Sequence, residues 1–176
     1  MPAPPRSRLR DVIAPRPRIL FVGINPSLRS GEVGHHFAGP GNPFWRLLHA
    51  SGLVPVPLAA EDDQRLADFG VALINLCPRP TRSAAELTPA ELAAGKRRLP
   101  ARARAMQPAV VALVGVTLYT LMFGATATPG PGPKPETLAG ARVFVLPNPS
   151  GRNAAFPGFA DKQVWFERLR AFTAAT

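Results

Sequence analysis

The architecture is set by the stretch Arg18-Ile-Leu-Phe-Val-Gly-Ile-Asn-Pro-Ser27. In it, an apolar run ends in a turn that contains the side-chain carboxamide of an asparagine. The run is typical of a buried strand, and Gly23 allows the backbone to turn sharply where the strand ends. Asn25 precedes a proline and is therefore held away from helical backbone angles. Its carboxamide should consequently lie at the mouth of the strand.

A second stretch, Arg142-Val-Phe-Val-Leu-Pro-Asn-Pro-Ser-Gly151, repeats this arrangement late in the chain. Another apolar run enters another Asn-Pro-Ser turn, and the amide is now that of Asn148. In an open parallel sheet, ligands bind outside the carboxyl ends of the strands. We therefore expect Asn25 and Asn148 to face each other across one cleft.

Short apolar runs alternate with helical patterns along the whole chain, and this order is typical of a parallel sheet with helices on both faces. The predicted fold class is therefore α/β, with three layers and a central, mostly parallel four-stranded sheet. Right-handed crossovers would place the loops that follow the strands on one rim. The predicted strands are 18–22, 71–76, 110–114 and 142–146. Helices are predicted over 43–50, 61–67, 88–107 and 117–123 and from about 161 onward, with Pro100 expected to kink or break the third.

The remaining segments are predicted to be irregular. Residues 1–17 are rich in proline and arginine, and we expect a mobile arm there, followed by a single domain over 18–176. The segments 28–42 and 124–140 are rich in glycine and are predicted to be loops. No apolar stretch approaches the roughly 20 residues needed to cross a bilayer, and the N-terminus lacks the apolar core of a signal peptide. We therefore expect a soluble, cytoplasmic monomer with no membrane partner, associated with the nucleoid if the source is bacterial.

The charge balance favours a polyanionic partner, because 21 basic and 11 acidic residues give a net charge of +10. Compositional drift toward arginine, alanine and proline is the alternative explanation. The single cysteine, Cys77, excludes an internal disulfide and a four-cysteine metal site. The histidines are too few and too clustered to indicate zinc, so we expect no metal. We expect no dinucleotide cofactor either, since no Gly-x-Gly-x-x-Gly follows the first strand.

The predicted rim offers amides, the aromatic side chain of Phe37, backbone donors and Arg152. It lacks a Gly-x-Ser-x-Gly nucleophile elbow and a phosphate-binding Gly-x-x-x-x-Gly-Lys motif. The groups that are present suit a flat polar ring that is stacked on one face and recognised along its edge. A nucleobase extruded from a nucleic acid helix is such a ring.

Three stretches, in this order, resemble the mismatch-specific uracil-DNA glycosylase family, which includes the thymine-DNA glycosylases. They are Gly23-Ile-Asn-Pro-Ser27, Phe37-Ala-Gly-Pro-Gly-Asn-Pro-Phe-Trp45 and Asn148-Pro-Ser-Gly-Arg152, and Arg79-Pro-Thr81 fits the middle segment of the family. The resemblance implies base excision repair by a monofunctional glycosylase, which flips its target base and hydrolyses the N-glycosidic bond. The target would be uracil mispaired with guanine in double-stranded DNA, with thymine and modified pyrimidines as further candidates.

The resemblance also implies roles for individual residues. Asn25 would position the attacking water, and as a neutral amide it is not a strong base. A well-placed base contributes about 10²–10⁴-fold, so the enzyme should be slow, and the pyrimidine should leave as an anion that backbone donors stabilise. The base-binding residues would be Gly23, Ile24, Phe37 and Asn148, with Phe37 stacked on the base and Ile24 offering its backbone N–H.

The second motif would supply the wedge that fills the gap left by the extruded base. Many relatives have leucine where this chain has Arg152, whose stem can fill the gap while its guanidinium binds a phosphate or the orphan guanine. Ser150, Gly151 and Asn153 complete the expected DNA-binding set. The departure at Arg152 leaves open how strictly guanine is required opposite the target.

A second departure concerns acid catalysis. The fastest uracil-excising relatives have a histidine in place of Asn148 and an acid just after the first strand, and neither is present in that form. Asp68 is a candidate acid, although it is predicted at the entry end of the second strand, on the opposite rim. Glu32 lies in the rim loop. Ser27 is small and should leave room for larger 5-substituted pyrimidines.

Two other functional classes stay open. One is a non-catalytic module on the same α/β fold that binds a nucleobase or a nucleic acid. The weaker one is a small-molecule α/β hydrolase, and the absence of a recognisable serine–histidine–acid constellation argues against it.

Overall fold

The computed structural model describes residues 9–124, 127–151 and 153–175 of the 176-residue chain. A five-stranded sheet forms its centre, with the strand order β2-β1-β3-β5-β4. The strands β1, β2, β3 and β5 are parallel, and β4 pairs antiparallel with β5 at one edge. The strand bounds are β1 (Ile19–Gly23), β2 (Val71–Asn75), β3 (Val110–Val114), β4 (Gly132–Leu138) and β5 (Ala141–Leu146).

Helices cover both faces of this sheet. The α-helices are α1 (Leu28–Val33), α2 (Phe44–Ala50), α3 (Pro89–Met106), α4 (Val116–Phe123) and α5 (Phe159–Ala174), and 3₁₀ helices span Ala60–Phe69 and Ala84–Glu86. No helix among the described residues is both long enough and apolar enough to span a membrane. The predicted α/β class is confirmed.

The side chains of β1 explain why the strand is an unbroken apolar run. All five of its residues are buried, and the first four alternate between the two hydrophobic clusters on either face of the sheet. Phe21 packs in the cluster that includes α2 and α5, whereas Leu20 packs in the cluster that includes α3 and α4. A strand that is covered on both faces needs apolar residues at every position.

The sheet has five strands, so the predicted count of four is wrong. The additional strand, β4, lies within 124–140, for which the sequence predicts a loop. Pro133 and Pro135 conceal it, because proline cannot donate to a strand ladder and argues against a central strand. Here β4 is an edge strand with a register shift between Lys134 and Thr137, and both prolines are exposed. Edge strands and bulges are the places where a sheet tolerates proline.

Two helices also differ from the prediction. Helix α1 forms at the start of the predicted loop 28–42, where Ser27 caps it by accepting the backbone N–H of Ser30, and Gly34 ends it with a left-handed backbone. Helix α3 runs through Pro100 without interruption.

The segment before β1 belongs to the domain and is not a separate arm. Val12 is completely buried, and it exchanges two backbone hydrogen bonds of 2.9 and 3.0 Å with Leu73 of β2. Ala14 is also buried, and the backbone N–H of Arg16 donates to the carbonyl of Met106. The described part of the predicted arm is therefore bonded to the β2 edge at Val12 and to the end of α3 at Arg16, and residues 1–8 lie outside the described residues.

Gly95 of α3 packs directly on the exit of β2, and its substitution tests this contact. A Cβ at this position would lie 2.7 Å from Leu76 Cγ and 2.9 Å from the Leu76 carbonyl oxygen. We expect Gly95→Ala to lower the free energy of unfolding by about 1–3 kcal/mol, because α3 must move away from the sheet. Urea denaturation measures the change. Lys96→Ala, at the next and exposed position, should change it by less than about 0.5 kcal/mol, and equal effects of the two substitutions would contradict the prediction.

Candidate functional site

A cavity of about 150 Å³ lies at the carboxyl end of the sheet. The turn after β1 and the turn after β5 both line it, so Asn25 and Asn148 face the same space. The end of β2 and the loop before α2 also line it, with single residues from α1, the end of β3 and the segment before β1. The two Asn-Pro-Ser turns converge on one cleft, as the repeated motif predicts.

The wall of this cavity is polar but uncharged. The described residues that line it include four carboxamides, those of Asn25, Asn42, Asn75 and Asn148, and none of them is aspartate, glutamate, lysine or arginine. The described part of the chain also contains no cluster of histidine, cysteine, aspartate or glutamate that could hold a metal ion. Such a wall offers hydrogen-bond donors and acceptors to a neutral polar ring, and it offers no carboxylate base.

The carboxamide of Asn25 has a fixed orientation. Its Nδ2 donates to Thr81 Oγ1 at 2.7 Å and to the carbonyl oxygen of Arg79 at 2.9 Å. The Thr81 hydroxyl itself donates to the Ser83 carbonyl at 2.7 Å, so toward Asn25 it can only accept. The NH₂ group is thereby engaged, and Oδ1 of Asn25 has no hydrogen-bond partner within the described ranges. Asn25 therefore presents an acceptor to the cavity.

Arg79 holds the loop that orients Asn25. Its guanidinium bonds both carboxylate oxygens of Glu91 at 2.9 to 3.2 Å and the carbonyl oxygen of Glu86 at 2.9 Å. The hydrogen bonds from Arg79 lower the pKa of the Glu91 carboxyl. Because exposed ion pairs contribute little stability, the main effect of this pair is to fix the geometry of the loop.

Asn148 has the opposite orientation. Its Oδ1 accepts the backbone N–H of Ser150 at 2.9 Å, which closes an Asx turn. Asn153 Nδ2 donates to the backbone carbonyl of Asn148 at 3.0 Å. The side-chain NH₂ of Asn148 is therefore the group left for the cavity, so one Asn-Pro-Ser turn offers an acceptor and the other offers a donor.

Phe37 contributes the aromatic part of the wall. Its ring is half-buried and stacks on Phe44, with 4.0 Å between ring centroids and 24° between ring planes. Its backbone φ is 49°, a left-handed value that is uncommon for residues other than glycine. Phe44 supports the ring while Phe37 lines the cavity, so the residue serves both as an anchor of its loop and as an exposed stacking surface.

The buried carboxylate of Asp63 holds the loop that carries Phe37. It is 1% exposed, accepts the backbone N–H of His36 at 3.0 Å and lies 3.3 Å from His35 Nδ1. Trp45 Nε1 donates to the His36 carbonyl at 3.0 Å. These contacts maintain the strained backbone at Phe37, as surrounding structure must at any such position. The sequence analysis missed Asp63, because its partners lie far from it in the chain.

His36 lines the cavity as a neutral ring. It is 2% exposed, and its Nε2 lies 2.8 Å from the carbonyl oxygen of Arg10, which places the ring proton on Nε2. Burial lowers the pKa of His36, although the nearby carboxylates of Asp63 and Asp11 act in the opposite direction. The remaining ring nitrogen is therefore an acceptor at neutral pH.

Asn75, the last residue of β2, is a site residue that the sequence analysis missed. Its carboxamide lines the cavity and has no hydrogen-bond partner within the described ranges. A Cβ on Gly23 would lie 2.7 Å from Asn75 Oδ1. Gly23 does not have a left-handed φ, so glycine is needed for this close approach and not for the sharp turn that we expected. An asparagine at the exit of a buried strand is the signal that could have revealed Asn75.

The other predicted site residues are distributed as follows. Ile24, Ser27 and Ser150 line the cavity, together with Gly23. Gly151 is exposed and Asn153 is half-buried on the loop after Ser150. Arg152, the expected wedge, lies outside the described residues.

The two candidate acids are not at the cavity. Asp68 is exposed in the 3₁₀ helix that precedes β2, at the entry end of that strand. Glu32 is exposed in α1, and its carboxylate lies 3.7 Å from the guanidinium of Arg29. Neither residue lines the cavity, so the structure separates both carboxylates from Asn25.

Comparison with known families gives one match. A model described as the uracil DNA glycosylase superfamily matches residues 10–170. The matched region begins in the segment before β1 and ends within α5, so it includes the entire sheet and every described residue of the two Asn-Pro-Ser turns at the cavity.

The lowered pKa of His36 predicts a pH-dependent stability. An unfolded histidine titrates near 6.5, so below about that pH the unfolded chain binds a proton that the folded ring resists. The free energy of unfolding should therefore fall as the pH is lowered. Urea unfolding at pH 7.5 and 5.5, about one unit above and below the pKa of an unfolded histidine, measures the change. The unfolding free energy of His36→Gln should depend less on pH than that of the wild-type protein. His49→Gln, at an exposed position of α2, should preserve the wild-type dependence, and an unchanged dependence in His36→Gln would contradict the prediction.

Proposed function

Because this chain belongs to the uracil DNA glycosylase superfamily, we propose that it removes uracil mispaired with guanine from double-stranded DNA. Membership makes the chain a DNA glycosylase, a hydrolase that acts on uracil in DNA. One observation supports the proposal most directly: two Asn-Pro-Ser turns present opposite ends of their carboxamides to a single uncharged cavity beside Phe37.

The cavity can recognise uracil along its edge and on its face. Uracil has an N3–H between two carbonyl oxygens, and the carboxamide of Asn75 can accept from N3–H while donating to one of these oxygens. The NH₂ of Asn148 can donate to a carbonyl oxygen from the other side. Phe37 provides a stacking surface, and such stacking contributes about 1–3 kcal/mol per base.

The proposed reaction is hydrolysis in which bond breaking runs ahead of water attack. Asn25 Oδ1 accepts a hydrogen bond from the water and orients it toward C1′ of the deoxyribose. The C1′–N1 bond breaks, and its electron pair leaves on uracil as an anion that the donors of the wall stabilise. The water oxygen then bonds to C1′ and releases one proton to the surrounding water, from which the departed uracil anion regains a proton. Asn25 cannot take that proton, so it does not supply the roughly 10²–10⁴-fold contribution of a general base.

The preference for a mispair follows from this limited catalytic power. Extruding a base costs a few kcal/mol, and the cost is least for a mismatched base. A slow enzyme gains most from a target that leaves the helix readily. We also propose that Ser150, Gly151, Arg152 and Asn153 contact the DNA at the gap, since Ser150 lines the cavity and the chain carries a net charge of +10.

Excision from defined oligonucleotides tests this function. Under single-turnover conditions, we expect release of uracil opposite guanine to be faster than release of uracil opposite adenine or from a single strand. Asn25→Ala should lower the rate by about 10-fold or more, since the water loses its acceptor, while duplex binding is retained. No abasic product from any uracil substrate at enzyme excess would remove the glycosylase assignment in favour of a binding module. Equal rates opposite guanine and adenine would remove only the mispair preference.

Asn75→Leu tests base recognition separately from water positioning. Leucine has a similar volume but cannot pair with the uracil edge, and an unpaired polar edge costs about 1–3 kcal/mol. We expect single-turnover excision to fall by roughly 10-fold or more, as that energy implies, while affinity for an unmodified duplex stays constant. Coincident urea midpoints of the variant and the wild-type protein would serve as the folding control. A wild-type excision rate in Asn75→Leu would show that Asn75 does not recognise the base.

A further inference from the structure

A second concave region adjoins the cavity that contains Asn25, Asn75 and Asn148, here called the base cavity, on its β2 side. This groove has a volume of about 620 Å³ and lies between the segment before β1, the end of β2 and helix α3. Leu9, Pro26 and Asn75 line both the groove and the base cavity. The groove is therefore continuous with the pocket that would hold the flipped base.

Three arginines line this groove, and two of them are available to a ligand. Arg102 is engaged, because it donates to Asp11 Oδ2 at 3.2 Å and to the Asn75 carbonyl at 2.7 Å. The guanidinium groups of Arg10 and Arg98 have no hydrogen-bond or ion-pair partner within the described ranges. Asp11 is the only acid among the described lining residues, so the groove retains an excess of positive charge.

The groove also contains an apolar surface beside these cations. Ile13 is 58% exposed, and Leu76 and Pro78 complete an apolar wall next to Arg98. A ligand that combines anionic groups with less polar rings fits such a lining. The sugar–phosphate backbone of DNA has this character, and half to two-thirds of protein–DNA hydrogen bonds go to phosphate and sugar.

We propose that this groove binds the backbone of the DNA strand that carries the target nucleotide, with Arg10 and Arg98 on its phosphates. The inference rests on the proposed function, because a strand whose base occupies the cavity must continue past the cavity mouth. Arginine can hold a phosphate with two parallel N–H donors. Arg102 bonds the backbone of Asn75, so the groove and the base-reading residue share one support.

Helix α3 provides a matched control for this assignment. Arg97 is exposed on α3 next to Arg98 but does not line the groove. Simple solvation of a basic helix face would make the two arginines equivalent. A backbone contact in the groove makes Arg98 different from Arg97.

The first experiment measures duplex affinity against salt concentration, using Asn25→Ala protein and a duplex with one G·U mispair. Each phosphate contact contributes about −0.9 to the slope of log affinity against log salt. We expect Arg98→Ala and Arg10→Ala each to reduce the steepness by about one, and Arg98→Lys to restore most of it. Arg97→Ala should match the parent protein. Identical slopes for Arg98→Ala and Arg97→Ala would overturn the proposal.

The second experiment identifies the strand. The uracil-bearing strand is shortened to end at the target on its 5′ side or on its 3′ side, and the complementary strand is shortened in the same way in separate duplexes. We expect one truncation of the uracil-bearing strand to abolish the effect of Arg98→Ala. An effect that survives both of these truncations, or that only a truncation of the complementary strand abolishes, would overturn the proposal.

Excision by the otherwise wild-type protein separates this inference from the proposed function. Normal excision together with a salt slope that does not depend on Arg98 would contradict the groove proposal but not the proposed function. A salt slope that depends on Arg98, and loses this dependence when the uracil-bearing strand is truncated, would support the groove as a DNA-binding site. If no excision were observed at the same time, only the proposed function would be contradicted.

Discussion

Hydrogen bonds between the loops that follow β1 and β2 hold the functional end of the molecule together. Backbone bonds of 2.7 to 3.1 Å join the second loop to the first, from Leu76 to Gly23, from Cys77 to Ile24 and from Thr81 to Pro26. On this framework the Thr81 hydroxyl takes the NH₂ of Asn25 and turns its oxygen to the cavity. Asn148 has the same motif without this partner, and its oxygen bonds within its own turn. The difference between the two amides thus arises from the neighbouring loop after β2 and not from the motif.

This origin explains how much could be predicted. The strands β1, β3 and β5 are apolar runs that need no knowledge of their partners, and the repeated turn places Asn25 and Asn148 at one rim through the parallel topology alone. Asp63 could not be found in this way, and Asn75 was missed because it lies at a strand exit outside the repeated turn. Asn75 matters because Gly23 leaves space against it, and Asp63 because it binds His36, 27 residues away in the chain. Strand β4 was missed for a local reason, since its prolines are acceptable only at an edge.

The left-handed backbone of Phe37 shows how the fold supports a strained functional group. A single residue in this region costs about 1–3 kcal/mol and persists only when its surroundings determine it. Asp63 and Trp45 bond the residue before it, and Phe44 covers one face of its ring. Phe44 and Trp45 belong to α2 and Asp63 to the 3₁₀ helix before β2. The core already fixes these two elements, and their contacts offset the free-energy cost of the backbone at Phe37.

Under the proposed function, the uncharged wall would link catalytic strength to target choice. A carboxylate near C1′ would stabilise a cationic sugar and accept the proton of water, and it would accelerate cleavage of any uracil that reached it. The described wall has only amides, hydroxyls, a neutral histidine and apolar groups, so it lacks both of these effects of a carboxylate and would remove less of the barrier once the base is bound. The free energy needed to extrude the base then remains a large share of the total activation free energy of excision, and it is smaller for a mispair than for a normal pair. Under the proposed function, weak chemistry in the cavity would be a physical route to discrimination, because it would leave the stability of the DNA pair to decide which uracil is removed.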